Sequence, residues 1–209
     1  MELDKILFRA FEPEDYLLIN RWRNDPEIQK MTVGTFRYVS SEMEKTWLQN
    51  KMMNNTKEIY LAICLKENPK KMIGYTSIND IDYINRSAHG GGIVIGETEF
   101  RDGVIRHEVG IKIRAYVFDT LNMHRFSGAC LAEHITSRIT IEANGFVLEG
   151  RKRKAVYKNG EYHDLLLFSL LREEYYTLLV QGAYMMKNYV HRVKELKKLY
   201  KKEDYNDFE

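Results

Sequence analysis

Gly91 to Gly110 reads GGIVIGETEFRDGVIRHEVG, and three kinds of local structure follow one another within it. Ile93, Val94 and Ile95 form an apolar run with the character of a buried strand, and Gly96 breaks it. A charged loop with Arg101, Asp102 and Gly103 follows, and beyond it the pattern turns helical. A strand that feeds a glycine-containing loop and a helix N-terminus can hold a phosphate, because unpaired backbone N–H groups and the helix dipole converge there.

Working outward toward the N-terminus, Asn85-Arg86-Ser87 is a turn and Met72–Ile81 a strand. Asn68-Pro69-Lys70-Lys71 is a second turn and Glu58–Leu65 a second strand. Strands joined by such short turns imply antiparallel pairing. Lys5–Phe11 predicts a first strand, and Glu12-Pro13-Glu14-Asp15 a helix start in which proline and the acids suit the first turn. Leu17, Leu18, Ile19 and Trp22 continue with helical spacing until Asn24-Asp25-Pro26. A further helix is expected from Ser41, after Ser40.

Toward the C-terminus, Glu108–Leu121 predicts a helix, Arg125–Leu131 a strand and Thr136–Ala143 a helix stopped by Asn144-Gly145. Asn159-Gly160 marks a tight hairpin leading into the apolar strand Leu165–Leu171. The whole is mixed α+β. From about Glu173 the spacing of Leu178, Leu179, Ala183, Met186, Tyr189, Val190, Val193, Leu196 and Leu199 predicts an amphipathic helix. Lys194, Lys197, Lys198, Lys201 and Lys202 lie off its apolar side, and Glu203, Asp204, Asp207 and Glu209 close the chain. The organisation expected is one domain over residues 1–174, with a helix and acidic tail over 175–209.

The bulk numbers fit a folded domain. Of 209 residues, 44% are hydrophobic and 12% aromatic, enough for a core. Net charge is +2, from 32 basic and 30 acidic side chains, so nothing favours nucleic acid as a partner. Cys64 and Cys130 sit in apolar runs and read as reduced core residues. The first residues are too charged for a signal peptide, and no apolar run has membrane-spanning length. The expected setting is the cytoplasm, without membrane attachment. Six scattered histidines lack metal-ligand spacing, so no metal is expected.

With these motifs placed, the chain resembles the GNAT superfamily of acetyl-CoA-dependent N-acetyltransferases, and within it the ribosomal-protein alanine acetyltransferase-like branch. The resemblance runs from about Ile6 to Tyr175. It rests on Arg9-Ala10-Phe11-Glu12-Pro13-Glu14-Asp15, Trp22-Arg23-Asn24-Asp25-Pro26, Ile73-Gly74-Tyr75, Ile93–Gly96, Leu121–Arg125, Asn144-Gly145-Phe146 and Tyr157–Asp164. It implies a GNAT-like, mostly antiparallel central sheet flanked by helices, to which the C-terminal helix is an addition. It also implies acetyl-CoA as acyl donor.

In that family the donor's pyrophosphate rests on a loop of pattern Arg/Gln-x-x-Gly-x-Gly/Ala. Here Arg101 leads, Gly103 comes one place early, and Val104 and Arg106 stand at the small positions. Arg106 either meets a phosphate through its side chain or blocks the site. The resemblance places a polarising backbone N–H near Ile93–Ile95, so Ile93, Ile95, Arg101, Gly103, Val104 and Arg106 are the donor-binding candidates. Ser137 is the candidate for the CoA sulfur. His134 replaces the family's asparagine, and Ile141 its tyrosine.

A base must take a proton from the amine. Glu97 and Glu99 are the leading candidates, with His107, Glu108, Asp80, Asp82 and His89 nearby. Asp82 and Tyr157 are read as acceptor-binding residues. The ribosomal branch carries a glutamate where this chain has Val156, which turns the expectation from a ribosomal protein toward a primary amine on a small molecule, such as an amino sugar or sugar nucleotide. The C-terminal helix packs either on its own domain or, in a homodimer, on a second copy. The competing expectation is a non-catalytic protein of the same fold, used for binding or assembly, with a degenerate phosphate loop.

Overall fold

The computed structural model describes residues 4–30 and 32–206, with side chains described as far as 201. Strand β1 is Ile6–Arg9, followed by a 3₁₀ turn at Pro13–Asp15 and helices α1 (Tyr16–Arg23), α2 (Pro26–Lys30) and α3 (Ser41–Met53). Strands β2 (Ile59–Leu65), β3 (Asn68–Asp82) and β4 (Ser87–Ile95) lead to helix α4 (Val104–Ala115). Then come β5 (Arg125–Leu131), α5 (Ile135–Ala143), β6 (Val147–Lys158), β7 (Glu161–Leu171), α6 (Arg172–Val180) and α7 (Met186–Asn206).

The seven strands form one sheet in the order β1-β2-β3-β4-β5-β7-β6. Every neighbouring pair is antiparallel except β4 with β5, which are parallel because α4 carries the chain back between them. The α+β class and the mostly antiparallel sheet are as expected. On one face, Ile63, Ile73, Ile78, Ala88, Ile95 and Phe126 pack against Ile105, Val109 and Ile113 of α4 and Tyr175 of α6. On the other face, Ala62, Cys64 and Met72 meet Ile19 and Trp22 of α1, Ile28 of α2 and Leu48 of α3. Cys64 and Cys130 are free and buried in separate clusters.

Local chemistry accounts for the boundaries. Ser40 caps α3, its hydroxyl accepting from Met43 N at 3.2 Å. Asn24 ends α1 and clasps Val39 through both its amide groups, at 2.8 and 2.9 Å. Pro26 then opens α2, a short helix that the Asn24-Asp25-Pro26 stop did not foretell. Asn159 and Gly160 both have positive φ, 53° and 89°, as a two-residue hairpin turn requires.

Other boundaries differ from the expected ones. The β2–β3 turn lies at Lys66-Glu67, and Asn68–Lys71 belong to β3. Pro69 is tolerated there because β4 pairs with β3 only as far as Gly74, so the missing N–H has no partner to lose. Strand β4 starts at Ser87, four residues before Gly91. Helix α4 starts at Val104 and finishes in a π turn at Tyr116–Thr120. The tail is two helices, parted at Gly182 with φ 65°. Glu203, Asp204, Asp207 and Glu209 lie outside the residues whose side chains are described.

Candidate active site

The sheet carries a wedge. Strands β4 and β5 pair only through Ser87↔Arg125, Ala88↔Phe126 and His89↔Ser127. Beyond that point Gly90–Ile95 pair with β3 alone, and Gly128–Leu131 with β7 alone. A bulge opens the gap. Ala88 and Ile95, seven residues apart, both face the α4 core, which an unbroken strand of period two forbids. The change of face falls at Gly92, where φ is 91° and Thr76 Oγ1 donates to the Gly92 carbonyl at 2.8 Å. Val94 pairs with Tyr75 and Gly96 N donates to Ile73 O at 2.9 Å, so by alternation Ile93 and Ile95 turn their backbone groups into the wedge.

The rim of the wedge at α4 is self-occupied. Gly103, φ 83°, has open space where a Cβ would stand. The N–H groups of Val104 and Ile105 donate to Asp102 Oδ1 at 2.9 and 3.3 Å. Arg101 folds back, giving Nε to Ile95 O at 3.0 Å and Nη2 to Gly96 O at 2.8 Å. Arg106 is half-buried, and burial lowers its pKa from the ordinary value. The wedge therefore suits a slender ligand with acceptor groups, whereas the phosphate cradle presents neither free N–H groups at Val104 and Ile105 nor an outward guanidinium at Arg101.

The other candidates lie as follows. Glu97 accepts from Arg21 and from Trp22 Nε1 at 3.2 Å. Glu99 is exposed and meets Lys71 at 3.4 Å. Asp82 is consumed by its own turn, accepting from Ile84 N and Asn85 N at 2.9 Å each. It pairs with Ser87, at the end of β4 away from the wedge opening. Tyr157 is half exposed near the tip of the β6–β7 hairpin, its ring 5.0 Å from that of Tyr162. His134 precedes α5 and its side chain caps nothing. Ser137 is half-buried in the first turns of α5, on the stripe of Ile141, which packs on the Cys130–Leu166–Phe168 cluster. Glu108, wholly buried, takes Lys5 N at 3.0 Å and Ile6 N at 3.1 Å, and so pins β1 to α4.

At the closed end of the wedge the structure assembles a group that the sequence reading scarcely weighed. His89 Nδ1 lies 3.1 Å from Ser127 Oγ, and that hydroxyl lies 3.1 Å from Ala88 O. A serine has one proton, and the carbonyl can only accept it, so Nδ1 carries the imidazole proton and Nε2 keeps its lone pair. Burial pushes the His89 pKa below its ordinary value, with Asp80 opposing weakly, and the ring stays neutral near pH 7. Asn79, its register neighbour, holds a buried Oδ1 with no partner. Gly91 leaves room for the Ser77 and Asn79 side chains, since a Cβ there would come within 1.9 Å of Ser77 Oγ. The one sequence signal for this group was His89 standing before three glycines.

A strap crosses the open end. Lys158, buried, donates Nζ to the carbonyls of Gln29 at 3.1 Å and Lys30 at 3.3 Å, at the negative end of α2. Thr35 Oγ1 donates to Tyr157 O at 3.0 Å beside it. His163 stands next to the strap, its Nε2 3.0 Å from Lys158 O and its Nδ1 2.6 Å from Glu133.

A splayed β4–β5 pair, a bulged β4 and a helix springing from its end define an acyltransferase architecture. The chain belongs to the acetyltransferase (GNAT) domain family, whose model matches residues 5–147. By class it is an acetyl-CoA-dependent N-acetyltransferase. It is 33% identical over 104 residues to YdaF of Bacillus subtilis (strain 168), provisionally named a ribosomal N-acetyltransferase; the match covers 50% of this chain and 56% of that relative. It is 27% identical over 135 residues to the ribosomal-protein-serine acetyltransferase of Escherichia coli (strain K12), covering 64% of this chain and 73% of the relative. The solved spermidine N-acetyltransferase of Vibrio cholerae, in complex with CoA and spermine, superposes with TM-score 0.74 at 26% identity, over 82% of this chain and 98% of that one. No helix among the described residues is long and apolar enough to cross a membrane.

Proposed function

We propose that this enzyme acetylates a primary amine carried by an anionic small molecule, with His89 as proton acceptor. The observation that carries the acceptor class is the charge at the open end of the wedge. Strand β6 presents Arg151, Lys152, Arg153 and Lys154 two strands from β5. Three of them line an open cleft of about 610 Å³ with Asp164 as its one acid. Such a field draws anions and repels polyamines. An amino sugar phosphate or sugar nucleotide fits it.

Acetyl-CoA, when bound, supplies the activated acetyl thioester. The backbone N–H of Ile93 polarises a carbonyl placed in the wedge, and needs no side chain to do so. His89 stands four residues back along β4, about 13 Å by strand rise, so the amine proton reaches it along a file of several waters in the wedge rather than directly. Ser127 holds the tautomer that leaves Nε2 basic. Ser137 hydrogen-bonds the departing thiolate.

Thiol release measured over an amine panel tests this. The expected order is amino sugar phosphates and sugar nucleotides first, neutral amino sugars next, spermidine last. Fastest turnover with spermidine, or with a ribosomal protein, would replace the acceptor class. The self-occupied cradle favours one other reading, a protein of this fold without catalysis, and absence of turnover with every amine would support it.

A further inference from the structure

We infer that Asp102 is a built-in occupant of the donor-phosphate position and sets how strongly the enzyme holds the phosphate-bearing end of acetyl-CoA. The inference rests on the acetyltransferase reading and on three observations at the start of α4. The Asp102 carboxylate takes the two leading N–H groups of the helix, Val104 N at 2.9 Å and Ile105 N at 3.3 Å. A phosphate oxygen would need those same donors, and it carries the same sign of charge as the carboxylate it would displace. Arg101 offers no compensation, since its Nε and Nη2 are committed to Ile95 O and Gly96 O. Arg106, the third residue of α4, is half-buried rather than exposed at the helix start.

Gly103 is what makes the arrangement adjustable. It holds φ 83° with open space around it, so Asp102 can swing out by rotation at an unhindered glycine without moving α4. The pantetheine part of the donor needs only the wedge and is indifferent to Asp102. The phosphate part binds only when the carboxylate has left. Asp102 thus acts as a specificity-determining residue: it weakens donors in proportion to what their phosphates contribute.

Titration calorimetry with two probes, CoA and pantetheine, separates these terms. In the unaltered protein CoA is expected to bind within a few-fold of pantetheine. In Asp102→Ala, CoA should tighten by roughly tenfold, the size of one or two charge-assisted hydrogen bonds, while pantetheine stays unchanged. Asp102→Ser keeps a neutral cap on α4 and guards against a frayed helix; it should fall between the two. CoA binding that is already roughly tenfold tighter than pantetheine in the unaltered protein, or that fails to tighten in both variants, overturns the inference. Pantetheine bound without any gain for CoA overturns the role of Asp102 alone. Failure of both probes on every variant overturns the acetyltransferase reading together with it.

Discussion

The ammonium of Lys158 sits 3.1 Å from the carbonyl oxygen of Gln29, across the open end of the wedge, although 129 positions separate them in the chain. Lysine is suited to the place: its three N–H donors meet the carbonyls of Gln29, Lys30 and Thr32 at and just past the end of α2. Lys158→Met keeps the aliphatic stem and removes the ammonium from these carbonyls, of which Gln29 O keeps Thr32 N and Oγ1 as donors. A cost of about 2 kcal/mol is expected, lowering Tm by roughly 4–8 °C. The same variant should lose roughly tenfold in kcat/KM, because the strap positions the acceptor side. An unchanged Tm would show that water replaces the ammonium there.

His89→Gln is expected to lower kcat by roughly a hundredfold, with KM for acetyl-CoA little changed. Ser127→Ala should cost less, since it frees the tautomer without removing the base. In the unaltered enzyme, activity should fall at acid pH through a pKa below the ordinary histidine value, because burial depresses it. A pH profile of kcat/KM that is identical in His89→Gln would remove His89 from the reaction.

A second histidine governs stability. His107, 1% exposed, donates Nε2–H to Tyr184 O at 3.0 Å, and burial pushes its pKa down to about 4. Above pH 6.5 both folded and unfolded chains hold it neutral, so it adds no pH dependence. As pH falls from 6.5 toward 4 the unfolded chain takes the proton first, and stability drops by roughly 3 kcal/mol over that window. Thermal melts between pH 7 and 4 should show this slope, and His107→Gln, which keeps a donor for Tyr184 O, should flatten it.

Arg114 is 3% exposed, stacks on Tyr184 at 4.3 Å, and leaves Nε and Nη2 without partners. Burial pushes its pKa down to about 10, which still leaves it charged at neutral pH. Replacing a buried cation whose partner is an aromatic ring rather than a carboxylate by an apolar side chain of similar length is often neutral or stabilising. Arg114→Met should therefore hold or raise Tm, by up to roughly 4 °C. A fall of several degrees would mean that the guanidinium has polar company in solution.

What could be read from the residues follows how local the signal is. The Asn159-Gly160 turn, the alternation in β2 and β3, and the strand–loop–helix at Gly91–Gly110 are encoded within a few positions, and the structure has them. The splay was not visible, because it depends on β4 meeting β5 across the whole of α4. His89 and Ser127 are brought together by that parallel pairing, 38 positions apart. Side-chain direction was equally hidden. Arg101 is in the expected place in the loop, yet it folds inward because the carbonyls of Ile95 and Gly96 lie within reach. Asp102 reads simply as part of a charged loop, whereas its carboxylate takes the first two N–H groups of α4. Gly182 parts α6 from α7 although the apolar stripe runs on through it.

The sheet of this protein is best pictured as two plates, β1–β4 and β5–β7, riveted at one end by three residue pairs and latched at the other through Lys158 and Thr35. Such a body resists gaping but yields to shear along its seam. Heat or denaturant should loosen the latch before the rivets, so exchange of backbone amides in Ile93–Ile95 and Gly128–Leu131 should rise while the middle of each plate stays protected. The enzyme would then lose its working geometry at a temperature below the one at which it unfolds.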